Sequence, residues 1–226
     1  MIWEKASKID QLISPNCLLI LYGTNQLLDS IYLPEILNTE EIGYAEKLHD
    51  QTQKKTWLCS RAYIKLTLAS LMNLKPLDLQ FKKNHFGKPY VQIPNLYFNL
   101  SHTKNAFLIS YNYKGRVGVD LEFLTGSESI QLLIDYAFSD HEKAYCLGGE
   151  DRVRFLEIWT KKEAFFKAAG IGLINKLNTF SVVGKSDNPL EHFKLNHESF
   201  FCPGNETGSI VYKGTNPIRF VSLQTF

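Results

Sequence analysis

The segments Gly118-Val-Asp-Leu-Glu122 and Trp159-Thr-Lys-Lys-Glu-Ala-Phe-Phe-Lys167 read as a strand and, some forty residues later, a helix. Side chains alternate between the faces of a strand, so Asp120 and Glu122 share one face while Val119, Leu121 and Phe123 take the other. On a helix, residues four apart are neighbours, which puts Glu163 beside Lys167 with the acid N-terminal, as the helix dipole prefers. Taken singly, either element is also what an exposed edge strand or an ordinary surface ion pair would look like. Together they offer three carboxylates and a lysine that could hold a metal ion against a phosphate.

Outward from these segments, strands are expected at 17–22, 79–82, 97–100, 107–112, 117–123, 180–183, 210–212 and 220–223, each bounded by Gly, Pro, Asn or Lys. Long helices are expected at 54–72 and 152–169. Ser139-Asp-His-Glu142 has the spacing of a capping box and opens a shorter helix, which favours a capping role for Glu142 over a site role. The two long helices echo each other. Trp57-x-x-x-Arg-Ala-Tyr-Ile-Lys65 overlays Trp159-x-x-x-Glu-Ala-Phe-Phe-Lys167, and the same offset brings Leu19 onto Leu121, Leu79-Gln-Phe onto Ser181-Val-Val, and Leu108-Ile-Ser onto Ile210-Val-Tyr. The expected fold is therefore α+β: two similar lobes, 1–110 and 111–226, each a small sheet on a long helix, forming an intramolecular pseudo-dimer around a cleft. In that register Leu18 and Ile20 stand where the second copy has Asp120 and Glu122, so the acidic site occurs once, in the second lobe.

The helices also carry cations on their apolar stripes. Lys162 falls among Phe155, Ile158, Trp159, Phe165 and Phe166, and Arg61 among Trp57, Ile64 and Leu68. A charge in that position needs a carboxylate, a carbonyl or a ligand phosphate, unless its stem packs and its head reaches water. For Arg61 a structural ion pair is the favoured reading; for Lys162 a ligand contact and snorkelling weigh equally.

A length of 226 residues with 44% hydrophobic content suffices for a sizeable core, and a net charge of +2 points to neither a nucleic-acid nor a membrane surface. Cys17, Cys59, Cys146 and Cys202 are scattered without a C-x-x-C pair, as for reduced thiols in a cytoplasmic protein. The apolar run near the N-terminus is too short for a signal peptide or membrane span. Carboxylate oxygens without His or Cys select a hard cation, most simply Mg2+ with Mn2+ as the alternative, and Mg2+ usually completes its shell with substrate phosphates. Neither a G-x-x-x-x-G-K-[ST] nor a G-x-G-x-x-G loop is present. In the first half, Lys88 sits in a Gly-Lys-Pro turn with its amine expected free to meet an anion, and Ser101 and His102 end a strand where they could donate to phosphate. A serine-hydrolase reading fails for want of a G-x-S-x-G elbow and because adjacent strand residues point apart.

The ordered set Gly87-Lys-Pro, Asn99-Leu-Ser-His102, Gly118-Val-Asp-Leu-Glu122, Phe138-Ser-x-x-Glu142, Trp159-x-x-Lys-Glu-Ala-x-x-Lys167 and Gly170-x-Gly-Leu173 resembles the 4'-phosphopantetheinyl transferase superfamily, in its long, surfactin-synthetase-activating type. The resemblance runs from about residue 48 to 183. It implies two lobes around one cleft, and transfer of the phosphopantetheine arm of coenzyme A to a serine of an acyl or peptidyl carrier protein, releasing adenosine 3',5'-bisphosphate. By position it implies that Asp120, Glu122 and Glu163 hold Mg2+. Glu163 would be general base and Lys167 would stabilise the leaving phosphate. Lys88, Ser101, His102, Lys55, Thr56 and Lys162 would contact coenzyme A. The Lys54-Lys-Thr56 run departs from the arginines of many relatives. A complete cleft within one chain suggests a monomer. Two further readings stay open at this point: a Mg-dependent phosphohydrolase, and a coenzyme A or carrier-binding module without catalysis.

Overall fold

A computed structural model describes residues 1–6, 12–123, 130–146, 151–172, 177–184 and 188–224. In chain order the strands are β1 (Glu4–Ala6), β2 (Leu18–Thr24), β3 (Lys82–Lys83), β4 (Pro89–Tyr90), β5 (Tyr97–His102), β6 (Ala106–Asn112), β7 (Val117–Glu122), β8 (Asn196–Phe201), β9 (Thr207–Tyr212) and β10 (Ile218–Leu223). The helices are α1 (Thr39–Ala45), α2 (Gln51–Met72), α3 (Gln131–Ala137), α4 (Asp140–Cys146), α5 (Asp151–Ala169) and α6 (Pro189–His192). The fold is α+β, as expected.

One sheet has the order β1-β10-β2-β6-β5, parallel across β1, β10 and β2 and antiparallel from β2 onward. A second is antiparallel, in the order β7-β9-β8, and β3 and β4 pair as a short antiparallel ribbon. Between the two sheets lies a shared core of Leu18, Ile20 and Tyr22 from β2, Val117, Val119 and Leu121 from β7, and Ile210 from β9. The opposite face of the first sheet packs Leu19, Leu21, Phe107 and Ile109 against Ile64 and Leu68 of α2. α5 covers the outer face of the second sheet, burying Ile158, Phe165 and Phe166 with Val211. The result is a stack of helix, sheet, sheet and helix.

Within this stack β2-β6-β5 and β7-β9-β8 have the same strand order and sense, each followed outward by a long helix. The strand register differs from the sequence overlay, however. Leu18 and Ile20 belong with Val117, Val119 and Leu121 between the sheets, whereas the helix-facing residues of β2 are Leu19 and Leu21. The first-half counterparts of Asp120 and Glu122 therefore come from the Leu19, Leu21 face. A one-residue slip reverses every side chain of a strand, and an overlay anchored on helices does not constrain that parity. β10 also joins the sheet of the first half, between β1 and β2, so a cut at 110/111 separates strands that pair.

Three segments differ from expectation for local reasons. Asn196–Phe201 is a strand that its composition hides, because it is the outer strand of its sheet and largely uncovered. The run 180–183 is not a strand; its backbone is held by side chains, Val182 N–H donating to Glu142 and the Phe180 carbonyl accepting from Lys162. Leu79 lies at the end of a 3-10 turn, and strand pairing starts only at Lys82. The long helices and the strands at 18–24, 97–102, 106–112, 117–122, 207–212 and 218–223 lie where the pattern puts them. Arg61 forms the expected structural ion pair, with Glu41 at 2.7 Å, and buried Lys65 meets the other oxygen of the same carboxylate at 2.7 Å.

Candidate functional site

Strand β7 is an open edge of its sheet, and its outward backbone groups are taken by side chains from the first half. Asn99 Oδ1 accepts from the Val119 N–H at 2.9 Å, and Lys88 Nζ donates to the Val117 carbonyl at 3.0 Å. Alternation on β5 then sends Ser101, two residues beyond Asn99, toward the same strand, where its hydroxyl donates to Asp120 Oδ1 at 2.9 Å. His102 points away and is exposed. On the other side of β7, α5 lies directly on the backbone at Gly118. A Cβ at that position would stand 2.1 Å from the Ala164 carbonyl oxygen and 2.3 Å from the Ala168 nitrogen. Glycine is thus required for the helix to approach, independent of backbone conformation.

That approach delivers Lys167 to Asp120. Its ammonium lies 2.6 Å from Asp120 Oδ1 and 2.9 Å from Ser101 Oγ, closing a triangle of lysine, serine and carboxylate. Asp120 is buried, and its second oxygen, Oδ2, has no hydrogen-bond partner. Glu122 and Glu163 complete the acidic group. Burial first, and then the Asp120 charge, push each up to about 7, with Lys167 opposing; Glu122 additionally feels Glu163 and receives a hydrogen bond from the Trp159 indole. Two glutamates whose ionisation the Asp120 charge opposes, beside an orphaned buried carboxylate oxygen, have the chemistry that a hard cation would relieve. Among the described residues no group of three or more His, Cys, Asp or Glu already converges at metal-binding distance. Asp120 Oδ1 is committed to Lys167 and Ser101, so Oδ2 and the two glutamates are the donors such an ion could draw on.

Lys88 differs from expectation. The turn is built by Asn84, whose side-chain oxygen accepts the Phe86 and Lys88 N–H groups, with Gly87 at φ +84°. The Lys88 amine is not free: it donates to the Val117 carbonyl and to the Lys167 carbonyl in the last turn of α5. Burial, with Arg116 and Lys167 nearby, holds it down to about 8. A cleft of about 250 Å³ runs past Gly87, Lys88, Asn99 and Lys167 to Gly170 and Gly172. Leu173, the last residue of the Gly170-x-Gly-Leu motif, is outside the described residues. Surrounding protein, and then the Lys167 charge, hold the His102 imidazole below its ordinary value, so it is near the cluster although exposed.

Two residues expected to contact coenzyme A are engaged within the protein. Lys162 is buried and turned away from the acids. It pairs with Glu142 at 2.7 Å and donates to the carbonyls of Ala137, Leu177 and Phe180 at 2.9, 2.7 and 3.1 Å. Glu142 is indeed the capping residue, accepting from the Ser139 N–H at 2.9 Å, and it is also this lysine's counter-ion. Thr56 is fully buried, its hydroxyl shared between the carbonyls of Thr52 and Lys104 at 3.0 and 2.6 Å. Lys55, its neighbour, is exposed. Asn99 went unassigned in the sequence; its place two residues before Ser101 on one strand face was the available signal.

Residues 116–210 match the family model described as the 4'-phosphopantetheinyl transferase superfamily, a stretch that includes β7, α5, all three acids and Lys167. Over that stretch the chain is similar to that superfamily. A Synechocystis sp. protein provisionally named as a 4'-phosphopantetheinyl transferase is 32% identical over 63% of this chain and 61% of its own length. The 4'-phosphopantetheinyl transferase HetI of a Nostoc sp. is 28% identical, covering 62% of each. Sfp, a Bacillus subtilis 4'-phosphopantetheinyl transferase, is 26% identical over 59% of this chain and 60% of its own. The chain thus spans about six tenths of the length of these superfamily relatives. Lys88, Ser101 and His102 precede the matched model, and their part in the site rests on the contacts above. No helix among the described residues is long and apolar enough to cross a membrane.

Proposed function

We propose that this protein transfers the 4'-phosphopantetheine arm of coenzyme A to a serine of an acyl or peptidyl carrier protein, releasing adenosine 3',5'-bisphosphate. The observation that carries the proposal is the junction of Lys167, Ser101 and Asp120, with Glu122 and Glu163 alongside, where Lys167 also lines a cleft between the halves of the chain. In the transfer, the serine oxygen forms a bond to the phosphorus that bears the pantetheine. The bond from that phosphorus to the bridging oxygen of the pyrophosphate breaks, and the bisphosphate departs. Glu163 takes the serine proton. Lys167 neutralises charge growing on the leaving oxygen, and its bond to Ser101 keeps the ammonium aimed there. Lys88 ties the turn, β7 and the end of α5 together, so that a phosphate entering the cleft meets groups already in place.

Mg2+ would be held by Asp120, Glu122 and Glu163, and would supply charge neutralisation at the pyrophosphate. The orphaned Asp120 Oδ2 and the oxygen-only donor set favour that ion. The coenzyme A 3'-phosphate side falls to His102 and Lys55, with Lys88 fixing the turn beside them. Equal strand orders in β2-β6-β5 and β7-β9-β8 favour two related lobes, 1–110 and 111–226 with β10 returning to the first, as in the long type of the superfamily. A cleft complete within one chain favours a monomer, and the scattered thiols a cytoplasmic setting.

Purified protein incubated with coenzyme A, Mg2+ and an apo carrier should add one phosphopantetheine per carrier by intact mass, and Glu163→Ala and Lys167→Ala should abolish the addition. No modification across a panel of apo carriers would sink the proposal. Nucleotide release without carrier modification would point to hydrolysis instead.

A further inference from the structure

A second cavity, of about 390 Å³, lies at the other end of β5 and β7 from the acids. It is lined by three cations, Lys114, Arg116 and Lys213, and by the rings of Tyr97, Phe165 and Phe193. It shares no residue with the lysine–serine–carboxylate triangle; Arg116 precedes Asp120 by four strand positions, on the order of 13 Å.

The cations come from two turns that are locked together. Asn112 Nδ2 donates to the carbonyls of Gly115 and Lys213 at 3.0 and 2.8 Å, and the Lys213 N–H donates to the Arg116 carbonyl at 2.9 Å. The turns approach so closely that a Cβ on Gly214 would lie 2.6 Å from Lys114 Cβ. Three like charges are thereby gathered at one cavity, at a cost in mutual repulsion. None of the three forms an ion pair among the described residues, and no carboxylate lines the cavity. Solvated lysines on turns are ordinary; an arginine and two lysines lining one concavity supply the charge that an anion requires.

The rings add a second requirement. Phe193 is 55% exposed and Tyr97 44% exposed, and Phe193 leans on Phe165 with centroids 6.2 Å apart. Large rings left open beside cations accept a planar partner by stacking. The cavity volume falls in the range of small-molecule sites. We propose that this cavity binds a small organic anion in which a planar ring carries a phosphate, the phosphate meeting Arg116, Lys114 and Lys213 and the ring lying on Tyr97 and Phe193. The inference stands independently of the transferase reading.

Adenosine 5'-monophosphate is a suitable probe, with binding to the full chain measured by calorimetry. At least one equivalent should bind, and the share of binding that Arg116→Ala weakens should be unchanged by Lys167→Ala, which alters the acidic cleft. Arg116→Ala should weaken binding about tenfold or more, as loss of a charge-assisted hydrogen bond implies. The double substitution Lys114→Ala, Lys213→Ala, on exposed turns where folding does not depend on them, should do the same. Adenosine and inorganic phosphate should each bind at least tenfold more weakly. Absence of binding overturns the proposal. So does binding lost with Lys167→Ala but kept with both pocket variants, which would place the nucleotide in the acidic cleft, and so does adenosine binding as tightly as the monophosphate.

Discussion

Gly118→Ala tests the contact on which the acidic site depends. The new methyl would stand 2.1 Å from the Ala164 carbonyl oxygen, where ordinary contact begins at 3.4 Å, and the obstructing atoms are helix backbone with no rotamer to change. α5 must therefore recede from β7 by about 1.3 Å, the difference between those distances. Overpacking of this kind costs about 1–3 kcal/mol, against a gain of about 0.5–1 kcal/mol from replacing glycine in a regular element. The same recession stretches the 2.6 Å contact between Lys167 and Asp120 beyond hydrogen-bond range. A misplacement of about 1 Å at a reacting centre can cost about a hundredfold in rate. Urea unfolding should show a net loss of about 1–2 kcal/mol, and carrier modification should fall about a hundredfold under conditions where the variant is fully folded. Gly43→Ala is the control: it lies inside α1 with nothing within 4 Å of the added methyl, and should be stabilised by about 0.5–1 kcal/mol with turnover unchanged. A Gly118→Ala protein as stable and active as the parent would refute the claim that strand–helix contact sets the site.

Lys162→Met should cost about 3–5 kcal/mol in denaturant unfolding, because it leaves Glu142 buried without its counter-ion, and adding Glu142→Gln, which removes the charge but keeps an acceptor for the Ser139 and Val182 N–H groups, should recover part of that loss. If Lys162→Met instead lowered turnover without lowering stability, the structural assignment would be wrong. Glu122 and Glu163 are held up to about 7, so their contribution to stability is complete below the ordinary carboxylate value of 4.5 and is lost as pH rises through 7. Glu163→Gln, which cannot ionise, should flatten the decline between pH 5 and 8 and leave the variant about 1–2 kcal/mol more stable at pH 8, after allowance for partial solvent screening; an unchanged slope in melting experiments would contradict it. Mg2+ should raise the melting temperature more at pH 8 than at pH 6, since the carboxyls must lose their protons to ligate, and equal shifts at both pH values would argue against these residues as ligands.

Much of the fold was legible because it is written in short periods. The two-residue alternation of 117–122 and the helical repeat of 152–169 predict the elements that carry the acids, and local spacing predicts the Ser139–Glu142 cap that the structure shows. The fate of the cations was not legible. Lys162, Lys88 and Lys167 are all compatible with a phosphate from sequence alone, yet one is consumed by a buried glutamate, one by two backbone carbonyls, and the third stands among the acids. Which lysine meets which acceptor depends on groups 15 or more residues away, and periodicity carries no information about them.

The sequence by itself determined the kinds of element, the acids and lysine they carry, and the resemblance to the superfamily, because propensity, alternation and motif order are local properties of the chain. Only the tertiary structure decided the parity of β2 against α2, the return of β10 to the first sheet, and the binding of β7's open edge by Asn99 and Lys88. Those outcomes follow from packing two sheets and two long helices against one another at once and from giving buried edge groups of β7 a partner, and such conditions are met only by the folded chain as a whole.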